Sequence, residues 1–365
     1  MASLDEIAAE RSIVVCCGSG GVGKTTSAAA IAVAAADRGR RACVVTIDPA
    51  RRLADALGLD ALTNEPSRVA GAGKGGGELW ALMLDTTATF DDVVRRHAAT
   101  PAQAETILAN RIYRNISGSL SGTQEYMAME KLHDLHTDGR FDLVVVDTPP
   151  TRNALDFLDA PRRLTRFLDH KLFRLLTIPA RSYLRAVSVA AQAFLRSITR
   201  VVGGEVVADV LAFFTAFEGM EEGFRERATA VYDLLEDPDT AFVLVASPRR
   251  DSVDEALFFA AKLTEARITV QALVVNRVHP AFGEGLPPRG GAPAPEGSSL
   301  ALLERNLAEL DAVAVRERTY LATLTRKVAP APTVTVPYLA GDVHDLDGLR
   351  EVGAALFAPI GNRRE

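Results

Sequence analysis

The sequence predicts an α/β fold: a mostly parallel sheet flanked by helices, with an α-helical subdomain inserted into it. Three observations carry this. Short, continuously apolar runs recur along the chain between helix-favouring segments, the pattern of strands buried on both faces of a parallel sheet. A glycine-rich G-x-x-x-x-G-K-[ST] loop, from Gly18 to Thr25, stands between one such run and an alanine-rich segment. Finally, residues 155–235 switch to an apolar spacing of three and four, the period of an amphipathic helix.

The elements follow in order. Residues 13–17 (IVVCC) read as the first strand and stop at Gly18, and residues 25–36 read as an Ala-rich helix. Residues 42–47 (ACVVTI), 78–84 (ELWALML) and 141–146 (FDLVVV) give three more strands. Residues 240–246 (TAFVLVA), 268–275 (ITVQALVV) and 333–336 (TVTV) complete the sheet. Between them Leu164, Phe167, Leu168, Leu172 and Leu175 recur at helical spacing, as do Phe194, Leu195 and Ile198, then Val206, Val210, Phe213, Phe214, Phe217 and Met220. Two readings stay open for this segment: a helical subdomain packed on itself, or one whose apolar surface docks a client or partner. Residues 70–77 (AGAGKGGG) and 283–299 are dense in Gly and Pro and read as flexible loops.

Composition sets the outer limits. The chain has 365 residues, 48% hydrophobic and 24% charged, with a formal net charge of −6. That suits a globular protein with a large core. It gives no bulk attraction to nucleic acid or anionic membrane. Cys16, Cys17 and Cys43 are too few for a disulfide framework and lie in apolar runs, which points to buried thiols in the cytoplasm. The first twelve residues carry acids and no apolar signal core. Arg185, Arg196, Arg200, Glu205, Asp209 and Glu218 interrupt the most apolar long stretch, so stable membrane insertion is not expected.

The loop supplies the chemistry. Its glycines let backbone N–H groups turn inward on phosphate oxygens, and the following helix N-terminus adds partial positive charge. Gly20, Gly21, Val22, Gly23, Lys24, Thr25 and Thr26 are therefore the candidate contacts to ATP or ADP. Lys24 is placed to reach the β- and γ-phosphates, and the Thr25 hydroxyl to ligate Mg²⁺. Asp147 ends the run FDLVVV and is the second candidate for the Mg²⁺. Asp48 ends the second strand, on the sheet edge where ligands bind. Either it orients and deprotonates the attacking water, or, standing before Pro49, it caps a helix. The organisation expected is a nucleotide-binding α/β core of residues 1–154 and 236–365, interrupted by the helical subdomain 155–235.

GSGGVGKTT, TIDPARRLADALG, VVVDTPPTRNALDFLDAP, VVNRVHP and VPYLAGDVHDLDGL appear in the order of the ArsA-type ATPases, and the chain resembles that family over about residues 11–355. The family takes in the arsenite-pump ATPase and the guided-entry ATPase that delivers tail-anchored proteins. The resemblance implies a phosphate-loop NTPase of the deviant-Walker class, dimeric, with nucleotide at the subunit interface. It implies the water-activating role for Asp48, the switch and Mg²⁺ role for Asp147, and adenine contacts for Asn276 and Pro337. Lys24 and Asp48 would then be the catalytic pair.

Three departures qualify it. The first lysine of the deviant loop, which reaches across the dimer, is Ser19 here. A heterodimer whose other subunit keeps the lysine would answer this; so would substitution by Arg51, Arg52 or Arg152, or slow hydrolysis with ATP binding as the function. No CxxC is present for an inter-subunit zinc, and His133 and His136 read as surface. No cysteine lies in residues 155–235, which speaks against transport of thiophilic arsenite. The expectation is a hetero- or homodimeric ATPase handling an apolar client. Its rivals are a regulatory subunit with little turnover and a chromosome- or septum-positioning ATPase, the latter opposed by the acidic charge.

Overall fold

The computed structural model describes residues 3–48, 50–119, 123–149, 204–282 and 294–358. The chain divides into two compact units: Met1–Met83 with Leu135–Leu155 and Pro238–Glu365, and Leu84–Asp134 with Asp156–Asp237.

The first unit is built on eight strands. They are β1 (Ile13–Gly18), β2 (Arg41–Thr46), β3 (Ser67–Arg68), β4 (Glu78–Met83), β5 (Leu143–Asp147), β6 (Thr240–Ala246), β7 (Val270–Val278) and β8 (Thr333–Pro337). They line up as β3-β4-β2-β5-β1-β6-β7-β8. Every pairing is parallel except that of β3 with β4. The apolar runs of the sequence are these strands, their ends shifted by up to three residues. β1, β5 and β6 are buried along their whole length, which is why their sequences show no alternation. β3 is only two polar residues long and has no apolar run to announce it.

The helix Lys24–Asp37 lies against the sheet with Ala28, Ala29, Ala30, Ile31 and Ala32 entirely buried. Alanine makes a helix slender enough to be covered on several sides. The helix Leu346–Leu356 packs over it: Gly353 faces the Ala30 carbonyl, and Arg350 bonds Asp37 at 2.9 Å. Asp37 also fixes residues 70–77. Its carboxylate accepts from the Gly73 and Lys74 amides at 2.8 and 2.9 Å. A Cβ on Gly77 would meet the Ala36 and Arg40 carbonyls at 2.4 Å. This stretch is a packed turn, and the flexible-loop expectation for it is corrected: its glycines serve close approach. Of residues 283–299, those up to 293 lie outside the described residues. Ser298 then caps the helix Ser299–Val328 through the Ala301 amide at 3.2 Å. That helix was not anticipated. Its buried positions Ala314, Glu317, Leu321, Leu324 and Val328 do keep a spacing of three and four.

The described part of the second unit is helical: Thr86–His97, Pro101–Ala109, Arg111–Ser119, most of Thr123–Thr137, Gly204–Ala216 and Glu221–Glu236. Val93, Ile107, Tyr113, Phe213, Phe217 and Phe224 form its core, with Phe217 stacked between Phe213 (5.5 Å) and Phe224 (5.1 Å). Residues 84–134, read in the sequence as part of the nucleotide-binding core, cluster in this unit. Residues 150–203, including Leu164 to Ile198, lie outside the described residues. In the described remainder Phe213, Phe217 and Met220 bury against one another. Among the described residues no helix is long and apolar enough to cross a membrane.

Candidate functional site

β1 lies at the centre of the sheet between β5 and β6, and β2 flanks β5 on the other side. The C-terminal ends of β1, β2 and β5 therefore open on one edge. The loop leaves β1 at Gly18, whose φ is +153° and whose added Cβ would lie 2.0 Å from the Val245 carbonyl oxygen. No side chain fits there. Gly23, at φ +92°, carries the chain into the helix at Lys24, and a Cβ on it would meet the Asn276 amide nitrogen at 2.1 Å. Both glycines are demanded by strand–loop packing as well as by the turn.

Within the loop, the Lys24 ammonium is buried and donates to the Ser19 carbonyl at 2.8 Å. Burial pushes its pKa down, against the attraction of Asp147. The Thr25 hydroxyl donates to Asp147 Oδ2 at 2.7 Å, and the Thr46 hydroxyl to the same oxygen at 2.9 Å. The other oxygen, Oδ1, is buried and has no hydrogen-bond partner. Burial pushes the Asp147 carboxyl up to about 6, despite the two hydroxyls and the Lys24 charge. An unpartnered buried acceptor is rare and costly. Here it stands beside a hydroxyl and an ammonium.

Asp48 follows β2 at the same edge. Its Oδ1 accepts from the Ala50 amide at 2.9 Å and its Oδ2 pairs with Arg52 at 3.2 Å. The N-cap of the helix Arg52–Leu57 is Arg51, with no side-chain cap. Asp48 thus stabilises a turn and does not cap the helix. Lys24, Thr25, Asp48, Arg52 and Thr148 line one cavity of about 300 Å³. Thr148 locks the end of β5 onto β1 through the Cys16 carbonyl at 2.9 Å.

Ser19 is 3% exposed. Its hydroxyl lies 3.2 Å from that of Ser252, which accepts from the Ser247 amide at 3.0 Å. The side chain at this position faces into its own unit. Arg51 and Arg52 are exposed, Arg52 is paired with Asp48, and Arg152 lies outside the described residues.

Asn276 and Pro337 come together at a cleft beside Thr26, lined also by Leu339 and Val343. The Asn276 amide donates to the Val22 carbonyl at 2.9 Å, and its Oδ1 accepts from the Arg277 backbone at 2.9 Å. Asn276 is thus a strut for the loop, with one amide N–H to spare. Arg277, missed in the sequence, reaches the Gly21 carbonyl at 3.1 Å. Cys16, Cys17 and Cys43 are thiols in no disulfide, buried in β1 and β2. Burial pushes the first two well above the usual thiol range. Among the described residues no cluster of three or more His, Cys, Asp or Glu side chains is placed to hold a metal ion.

The model of the anion-transporting ATPase family matches residues 11–284. Similar proteins include an ATPase ASNA1 homolog of Cryptosporidium parvum, 27% identical over 72% of this chain and 63% of its own length. An ATPase GET3 of Rhodotorula glutinis is 27% identical over 72% of this chain and 68% of its own. A putative arsenical pump-driving ATPase 2 of Aquifex aeolicus is 22% identical over 72% and 79%. The chain spans about two thirds of the length of the first two. The strand–loop–helix at Gly18 to Lys24 and its buried aspartate fall inside the matched region, and the chain belongs to the anion-transporting ATPase family.

Proposed function

We propose that the chain binds Mg-ATP at this sheet edge and hydrolyses it, as a dimer with an ArsA-like subunit, either a second copy or a relative that keeps the lysine replaced by Ser19. One observation carries the reading. Lys24, Thr25 and Asp147 converge under a glycine loop, and Asp147 Oδ1 is left with nothing to accept from.

The donor set fits Mg²⁺: hard oxygens, one carboxylate and one hydroxyl, with phosphate and water completing the shell. Thr25 and Asp147 would hold the ion, which when bound supplies positive charge to the phosphate chain. Lys24 would exchange the Ser19 carbonyl for the β- and γ-phosphates. Asp48 orients the attacking water and takes its proton as the new P–O bond forms and ADP leaves. Its two contacts, to Ala50 and Arg52, fix the carboxylate for that task. The adenine would rest in the cleft between Asn276 and Pro337.

The client is apolar and not arsenite, since the three thiols are buried in strands and none lies in residues 155–235. Those buried, unbridged thiols suit a cytoplasmic protein. The buried Ser19 supports a second reading, a nucleotide-binding subunit with little turnover of its own.

Steady-state ATP hydrolysis, measured with and without Mg²⁺, separates the readings. Wild type should turn over only with Mg²⁺, and faster with a lysine-bearing partner. Asp48→Asn should retain ATP binding and lose 10²–10⁴-fold in rate. Wild-type rates in Asp48→Asn would refute the water-activating role. Binding without turnover, partner present or not, would favour the second reading.

A further inference from the structure

β7 contains an irregularity that the sheet does not require. Its register with β8 shifts between Val275 and Val278, so Asn276 and Arg277 bulge out of the ladder. Arg277 there has φ +61°, in the left-handed region. Only one other described non-glycine residue does so, Arg267. Arg267 follows the C-terminal turn of the helix Arg250–Glu265, where a left-handed residue is ordinary. Arg277 has no such excuse: it lies inside a strand, where this conformation is strained. Bulges of this kind re-aim side chains and gather beside active sites.

The bulge aims Arg277 at the phosphate loop. Its guanidinium donates to the Gly21 carbonyl at 3.1 Å and lines the cavity that holds Lys24, Thr25 and Asp48. Among the described residues it has no carboxylate partner. The other cations of that cavity are engaged: Lys24 on the Ser19 carbonyl, Arg52 on Asp48. One carbonyl satisfies one of a guanidinium's five N–H groups. The remaining fork matches a phosphate oxygen pair.

We propose that Arg277, held by the β7 bulge, is a phosphate-binding residue of this site that grips the nucleotide's phosphate chain from its own subunit. The proposal rests on the nucleotide reading above. It also places the missing cation elsewhere than at Arg51, Arg52 or Arg152.

The test is Mg-ATP and Mg-ADP affinity by calorimetry at several salt concentrations. Arg277→Gly should fold, because glycine adopts the left-handed conformation freely. It should bind both nucleotides about tenfold to a hundredfold more weakly, with a shallower salt dependence. Arg277→Ala should match it, and Arg277→Lys, which keeps the charge but not the fork, should recover only part of the loss. Binding within twofold of wild type in Arg277→Gly would overturn the proposal. So would an unchanged salt dependence, which marks the side chain as a mere strut for Gly21. If wild type binds no Mg-ATP, the nucleotide reading falls and this proposal with it. Binding lost in Lys24→Ala yet unchanged in Arg277→Gly defeats Arg277 alone.

Discussion

In the helical unit Glu130 is wholly buried, yet Arg227 donates to it at 2.7 Å and the Tyr126 hydroxyl donates to the same carboxylate. Arg227 in turn bonds Asp134, which Arg96 grips with two bonds of 2.7 Å. At the phosphate loop Asp147 is equally buried, and one of its oxygens meets nothing. Lys24, a buried ammonium, rests on the Ser19 backbone carbonyl and not on a carboxylate. Both clusters carry charge out of water. The first is complete within the chain and holds helices together. The second is complete only with a ligand that brings oxygens for a cation and negative charge for an ammonium. A closed network is architecture, and an open one is a binding site.

Breaking the closed network should give the largest effect on folding. Arg227→Ala leaves the Glu130 charge buried and unpaired, with a destabilisation of about 3–5 kcal/mol expected in urea unfolding. A cost under about 1 kcal/mol would show that water reaches Glu130 and that the two clusters do not differ in closure. The open site should respond with the opposite sign. Burial has raised the Asp147 carboxyl to about 6. Its contribution to stability is therefore present at low pH and is lost as pH rises through 6. Asp147→Asn removes that ionisation and should leave the nucleotide-free protein unchanged or more stable at pH 7, by at most about 3 kcal/mol. The same variant should lose its response to Mg²⁺. A strongly destabilised Asp147→Asn would mean that Thr25 and Thr46 already satisfy the carboxylate. Ser19 gives the smallest contrast. Ser19→Ala should cost about 1 kcal/mol or less, for the bond to Ser252. Ser19→Lys forces a long side chain into a site 3% exposed and should cost about 1–3 kcal/mol by thermal unfolding.

The parts legible in the sequence were those set by local rules. Buried parallel strands leave continuous apolar runs, so β1, β5 and β6 stood out. The loop's spacing and its strand–helix context placed Lys24 and Thr25 under the same roof as Asp147, 122 residues away. What was illegible depended on tertiary geometry. Residues 70–77 carry the composition of a linker, and only the Asp37 contacts show that their glycines serve packing. The inward turn of Ser19 depends on Ser252, 233 residues distant. Arg277 belongs to a bulge that only the β8 register reveals, and nothing in the run ITVQALVVNRV marks its left-handed conformation. The helix Ser299–Val328 carries a helical spacing in its buried positions, but it follows directly on a Gly- and Pro-rich stretch that has the composition of a loop.

The central claim is that the open cluster is completed by Mg-ATP. Its most direct test is thermodynamic stability with and without Mg-ATP, for wild type and Lys24→Ala side by side. At ATP a hundredfold above the wild-type Kd, the wild type should gain about 2.7 kcal/mol. Lys24→Ala, lacking the buried ammonium, should gain almost nothing while folding normally without nucleotide. Equal stabilisation of both proteins would contradict the account and place the nucleotide away from this loop.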